Sequence, residues 1–179
     1  MAMAGMNLAQ AAKTSGVDIS LRREGNADQP FLSLLYASVR WDELAPTGWS
    51  DSQKTAFLNS QFAAQHEHFA RQCAGADFHI IDHSSGPLGR LAVDRRAPER
   101  LHLLDIALLP SWRGQGIGST LIKALIAEAG PRPLSLHVVK ENPARSLYLR
   151  LGFQEIETRG FHSFMETSPS RNCACEAGL

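Results

Sequence analysis

The sequence has no surplus of charge: 18 Lys and Arg stand against 18 Asp and Glu, for a formal net charge of zero. A protein that grips a nucleic-acid backbone normally shows a basic excess or stripe, so this balance argues against nucleic acid as a partner. Long apolar runs are missing too. No segment approaches the roughly 18 consecutive apolar residues that a bilayer span requires, and no membrane association is expected. The first ten residues lack the basic-then-apolar order of a secretory leader. Cysteine is scarce and odd in number, with Cys73, Cys173 and Cys175. That count does not describe a disulfide framework and points to a reducing cytoplasm. Cys173 and Cys175 find no further Cys or His group to complete a four-ligand set, so no metal is expected. Internal repeats are absent. The remainder is ordinary globular composition, 44% hydrophobic over 179 residues, long enough for one substantial core.

Residues 1–16 are small and polar and read as a flexible segment, residues 17–166 as one domain, and residues 167–179 as a tail. Val17 to Arg22 alternates apolar and polar, the mark of a half-buried strand. Asp28 is placed to cap a first helix whose apolar side is Phe31, Leu34, Leu35 and Val39. Trp41 to Ser50 contains Pro46 and Gly48 and is expected to be loop. A longer helix runs from Ser50 or Asp51 to about Arg71, with Phe57, Leu58, Phe62 and Phe69 on its apolar side. Phe78–Ile81 and Leu88–Val93 flank a turn-rich stretch and predict a hairpin. Leu101–Leu109, ended by Pro110, predicts a central buried strand. Ile117, Leu121, Ile122, Leu125 and Ile126 share a helical face. Leu134–Val139 is a strand; Ala144, Leu147, Tyr148 and Leu151 share another helical face, and a last hairpin spans Phe153–Thr158 and Gly160–Met165. Hairpins mixed with strand-helix-strand crossovers imply one sheet with helices on both faces.

Between the central strand and its following helix lies Arg113-Gly114-Gln115-Gly116-Ile117-Gly118. Glycines allow positive φ and close backbone approach, while free N–H groups and the dipole of a helix N-terminus attract phosphate. Arg113 adds a full charge beside them. A P-loop would require Gly-Lys-Ser/Thr, and no such lysine follows. A dinucleotide fingerprint counted from Gly114 would place glycine at Ser119 and an acidic residue about twenty positions on, where Pro133 to Ser135 offers none.

Leu108 to Gly118 resembles the acetyl-CoA signature of the GNAT superfamily of N-acetyltransferases, Arg/Gln-x-x-Gly-x-Gly/Ala. Asn142-Pro143-Ala144-Arg145-Ser146-Leu147-Tyr148-Leu149-Arg150-Leu151-Gly152-Phe153 resembles that superfamily's downstream motif, with Asn142 one residue nearer Tyr148 than in many members. The resemblance implies an α/β fold: a three-layer α/β/α arrangement on a mostly antiparallel sheet of about seven strands, splayed at the parallel pair beside the coenzyme-binding helix. It implies acetyl-CoA as co-substrate, with the pantetheine arm against the backbone of Ile106, Ala107, Leu108 and Leu109. Arg113, Gly114, Gln115, Gly116, Ile117, Gly118 and Ser119 would hold the pyrophosphate. Asn142 and Arg145 would contact the coenzyme, and Tyr148 would stand beside it as general acid. The Leu108 N–H would donate to the thioester oxygen. The acceptor would be a primary amine of a small molecule or peptide, attacked in a ternary complex, and the protein a monomer or homodimer. A non-catalytic acyl-CoA-binding module or sensor is the alternative with the same fold.

The general base is left open between residues. Asp105 is a carboxylate inside an apolar run, a costly placement unless it is paired or used. His137 sits mid-strand and His102 begins the Asp105 strand; strict alternation would turn His102 and Asp105 to opposite faces. Trp41, Asp42, Glu43, Trp49 and Phe62 belong to the region that walls the acceptor pocket in the superfamily. His66-Glu67-His68 lacks the second histidine at position 70 that a helical metal motif needs.

Overall fold

A computed structural model describes residues 18–168. The expectations for residues 1–16, for the tail beyond Ser168 and for Cys173 and Cys175 lie outside the described residues. The chain runs β1 (Ile19–Arg23), α1 (Gln29–Arg40), α2 (Asp51–Gln72), β2 (Asp77–His83), β3 (Gly86–Asp94), β4 (Leu101–Leu108), α3 (Ile117–Ala129), β5 (Leu134–Val139), α4 (Ala144–Arg150), β6 (Phe153–Arg159) and β7 (His162–Thr167). Every expected helix and strand is present. The strands form one sheet in the order β1-β2-β3-β4-β5-β7-β6, antiparallel except for β4 with β5. The last strand runs to Thr167, whose hydroxyl accepts the Leu134 N–H.

Helices α3 and α4 cover one face. Ile117, Leu121, Ile122 and Leu125 of α3 pack on Leu91, Val93, Leu101 and Leu103, and Tyr148 of α4 joins the same cluster. The other face meets α1 and α2 through Leu32, Leu35 and Leu58. The apolar face expected of α1 is therefore rotated: Leu34 and Val39 are exposed, while Leu32 and Leu35 are buried. Periodicity alone cannot choose between neighbouring stripes when a helix is apolar over much of its circumference. On α2 only Leu58 is fully buried, and Phe57 stacks edge-on with Trp49 at 5.3 Å.

Local chemistry explains the remaining differences. Ser50 and Gln53 form a reciprocal capping box at the start of α2. Asp28 stands at the N-cap of α1 but does not bond the helix; its carboxylate accepts from Nη1 and Nη2 of Arg22, at 2.8 and 2.7 Å, and from the Gly25 N–H. A full counter-charge outcompetes a backbone amide here. Trp41–Thr47 is wound into 3₁₀ turns rather than open loop, with the Thr47 hydroxyl donating to the Leu44 carbonyl.

Gly89 of β3 faces Leu108 across the ladder. A Cβ at Gly89 would lie 2.4 Å from the Ala107 carbonyl oxygen, backbone that cannot swing aside. Gly89→Ala is expected to destabilise the fold by about 1–3 kcal/mol through overpacking, read as a lowered midpoint in chemical denaturation.

Candidate active site

The parallel pair holds for three residues only: Leu101 with Leu134, His102 with Ser135, and Leu103 with Leu136. Beyond them β4 and β5 part. Strand β4 was expected to be buried throughout, yet only Leu101 and Leu103 are, and every residue from Leu104 to Leu108 is half-exposed. The parting is the reason: one flank of β4 has lost its neighbour. The Leu109 N–H still donates to Leu88 on the β3 side at 2.9 Å. Alternation turns the N–H and C=O of Leu108, and of Ile106 before it, toward the gap. The Arg113 side chain fills one of these vacancies, its Nε donating to the Leu108 carbonyl at 3.0 Å.

The open flank leads into the glycine turn. Gly114 and Gly116 take φ of 74° and 82°, conformations that glycine adopts without strain. Nothing lies within 4 Å of a Cβ built at either position, so the space above the turn is open. The first intrahelical bond of α3 runs from Thr120 N–H to the Gly116 carbonyl. Among the described residues the N–H groups from Gly114 to Ser119 have no protein acceptor. With the positive end of α3 behind them and the exposed Arg113 beside them, they fit a diphosphate. Asn142 sits at the start of α4, its side-chain oxygen accepting the Ala144 N–H at 2.9 Å. Arg145 is engaged elsewhere, in an ion pair with Glu155 at 2.9 Å.

A bulge in β4 reorganises the acid-base groups. Leu103 opposes Val93 but Asp105 opposes Ala92, so Leu104 is an extra residue in the ladder. Because His102 opposes Asp94, the insertion brings Asp105 onto the same face as His102 and overturns the expectation of opposite faces. Asp105 is crowded by protein yet keeps 27% of its side-chain surface at the cleft, 3.6 Å from Arg90. Burial pushes its carboxyl above the usual carboxylate range, while Arg90 and Arg40 pull it partly back.

Tyr148 comes from the opposite face, buried against Phe153 at 5.6 Å between ring centres. Burial first, and then the nearby Asp105 charge, push its phenol up to about 12. Among the described residues its hydroxyl has no hydrogen-bond partner. Tyr36 of α1 also lies near Asp105, and its phenol is likewise raised, chiefly by burial. Both tyrosines of the chain thus flank this one carboxylate.

His102 and His137 meet edge to face at 5.2 Å. The Ser135 hydroxyl lies 2.8 Å from His102 Nδ1 and 3.2 Å from the Leu101 carbonyl. One hydroxyl hydrogen satisfies the arrangement only if Ser135 donates to the carbonyl and His102 Nδ1–H donates to Ser135, which leaves Nε2 with its lone pair. Burial, and then His137, lower the His102 imidazole to about 4. His137 itself is exposed and also lowered, chiefly by burial. It borders a cavity of about 220 Å³ with Glu157, Arg159, His162 and Phe164.

The expected acceptor-wall residues are more scattered. Phe62 contacts Tyr36 at 5.9 Å, Glu43 reaches Arg40 at 3.7 Å, Lys54 lies over Trp41, and Trp49 packs outward on Phe57. His66 and His68 rest beside Phe62 and Phe69, and Glu67 pairs with Arg71. Sequence reasoning missed Glu24, Tyr36, Arg40 and Arg90. Arg90 had a signal: a lone arginine in the apolar run Leu88 to Val93, the mirror of Asp105 in its own strand.

A mostly antiparallel sheet opened at one parallel pair, with a glycine turn at the helix beyond it, defines the GNAT fold. Residues 74–155 match the family described as an acetyltransferase (GNAT) domain. The [ribosomal protein bS18]-alanine N-acetyltransferase of Haemophilus influenzae is 42% identical over 60 residues, 32% of this chain and 41% of that protein. The bovine thialysine N-epsilon-acetyltransferase is 42% identical over 69 residues, 36% of this chain and 41% of that protein. The matched stretches span about two fifths of the length of these curated relatives. Among solved structures, the PaiA N-acetyltransferase of Thermoplasma acidophilum, in complex with coenzyme A, superposes with a TM-score of 0.63 at 20% identity, over 84% of this chain and 98% of that one. No helix among the described residues is long and apolar enough to cross a membrane.

The depressed His102 imidazole gives a testable linkage. A group whose folded pKa lies below its unfolded value of 6.5 resists protonation in the fold, so stability is lost as pH falls from 6.5 through about 4. The drop in unfolding free energy between about pH 7.5 and pH 5 should be larger for the wild type than for His102→Gln, by on the order of 1 kcal/mol. Equal drops in paired urea titrations would remove His102 from this linkage.

Proposed function

We propose that this chain transfers the acetyl group of acetyl-CoA to a primary amine of a small molecule or peptide, directly, within a ternary complex. The observation that carries the reading is the unpaired flank of β4 leading without a break into the N–H-lined turn from Gly114 to Ser119. Residues 17–166 are the unit that performs the reaction, in the cytoplasm.

Acetyl-CoA, when bound, supplies an activated acyl group as a thioester. The turn from Arg113 to Ser119 holds its diphosphate, and Ile106, Ala107, Leu108 and Leu109 present backbone to its pantetheine arm. Asn142 lies alongside that arm. Arg145 serves the site through the α4–β6 ion pair that fixes the helix carrying Tyr148. The Leu108 N–H donates to the acyl oxygen, where negative charge grows during transfer.

An alkylamine has pKa near 10, so roughly one molecule in a thousand is nucleophilic at neutral pH, equivalent to about 4 kcal/mol. Asp105 takes the surplus proton, and its raised pKa makes it a stronger base than an ordinary carboxylate. His137, on the facing strand, is the second candidate for that task. Tyr148 holds a proton that it gives to the departing thiolate, and a phenol raised to about 12 keeps that proton at neutral pH. A phenol that keeps its proton at neutral pH and has no hydrogen-bond partner among the described residues favours an enzyme over a passive acyl-CoA-binding module.

Tyr148→Phe should lower turnover by about 100-fold while calorimetry shows unchanged acetyl-CoA affinity; unaltered turnover removes Tyr148 from the reaction. Gly116→Val forces a β-branched residue to a φ of 82° and fills the approach to the turn, so acetyl-CoA binding should be lost. Acetyl-CoA-dependent thiol release, screened over amino acids, polyamines, aminoglycosides and peptide N-termini, tests the activity itself. Tight binding without release across the whole panel would favour the module.

A further inference from the structure

Arg90 lies in the middle of β3 with 4% exposure. Its guanidinium is 5.0 Å from the centre of the Phe69 ring on α2 and 5.2 Å from that of Phe78 on β2. Two carboxylates approach it: Glu24 Oε2 stands 3.1 Å from Nε, and Asp105 Oδ2 stands 3.6 Å from Nη1. Neither contact is aligned as a hydrogen bond, and Arg90 Nε and Glu24 Oε2 have no other partner. One cation thus serves two carboxylates without being fully committed to either. Aromatic rings on two elements hold it in place.

We infer that Arg90 is a positioning residue that fixes Asp105 at the cleft, and that Glu24, competing for the same guanidinium, sets the proton affinity of Asp105. The catalytic half of this inference rests on Asp105 acting as the base. The groups that face Asp105 are Glu24 after β1, Tyr36 and Arg40 on α1, Arg90 on β3 and Tyr148 on α4, with His102 on its own strand. Of these, Glu24 is the one whose negative charge opposes ionisation of Asp105, while Arg90 and Arg40 favour it. Removing the Glu24 charge leaves Arg90 to Asp105 alone, so the carboxyl gives up its proton at lower pH.

The test uses the full chain carrying Glu24→Gln, checked for folding by thermal melting. Carbon-13 NMR titration of the Asp105 carboxyl should move its midpoint down by about one pH unit, and the acidic limb of kcat/KM for thiol release should move with it. An unmoved NMR midpoint overturns the inference. A midpoint that moves while the rate limb stays supports the electrostatic link and instead removes Asp105 as the base. For Arg90, Arg90→Met should cut kcat at least tenfold with the KM for acetyl-CoA unchanged, and Arg90→Lys should restore part of it. Equal loss in both variants, or a loss confined to KM, overturns the positioning role.

Discussion

The site depends on one constraint: two neighbouring parallel strands share a ladder for three residues and then separate. Buried backbone groups seldom go without partners, because each orphan costs about 1–3 kcal/mol. A sheet that parts in its middle must therefore be held firmly on both sides. Strand β3 continues to pair with β4 past the parting, as far as Leu109, and β7 binds β5 along its length. The two halves are thus each rigid, and the orphaned edge between them sits at the cleft, where a ligand can satisfy it.

The bulge at Leu104 works with that parting. Without the extra residue, Asp105 would turn toward α3 and the main core. With it, the carboxylate joins His102 and Arg90 on the face of α1 and α2, while Tyr148 approaches from the other layer. The acid and the base of the proposed reaction come from opposite sides of the sheet and sense each other at the point where it is open. Burial, and then the charge of Asp105, raise the phenol and so help to keep it protonated.

Much of this was legible in the residues. Apolar spacing located every helix and strand, because a period near two or near 3.6 is imposed by backbone geometry and survives into the fold. The turn at Gly114 to Ser119 was readable because free N–H groups and glycine conformations are local properties. Asp105 stood out because a charge within an apolar run is costly. Facing directions were not legible. A bulge leaves no mark in the composition, so strict alternation misdirected His102 relative to Asp105. The partial exposure of β4 was hidden for a similar reason: apart from Asp105, residues 104–108 are as apolar as a buried strand, yet their neighbour has moved away. The ties among Glu24, Arg90 and Asp105 join three separate parts of the chain, which local patterns cannot connect.

The strand order carries a consequence for how the chain reaches this fold. Strand β7 is inserted between β5 and β6, although it follows both in sequence. Strand β5 pairs with β4 over three residues only and gains its main partner from β7. Strand β6 likewise touches the sheet only through β7. During synthesis, β1 to β4 can associate as they emerge, but β5 has only its three-residue ladder with β4, and β6 no neighbour in the sheet, before the segment from His162 to Thr167 follows. The half of the sheet that holds His137 is therefore complete only once that final strand occupies its interior position.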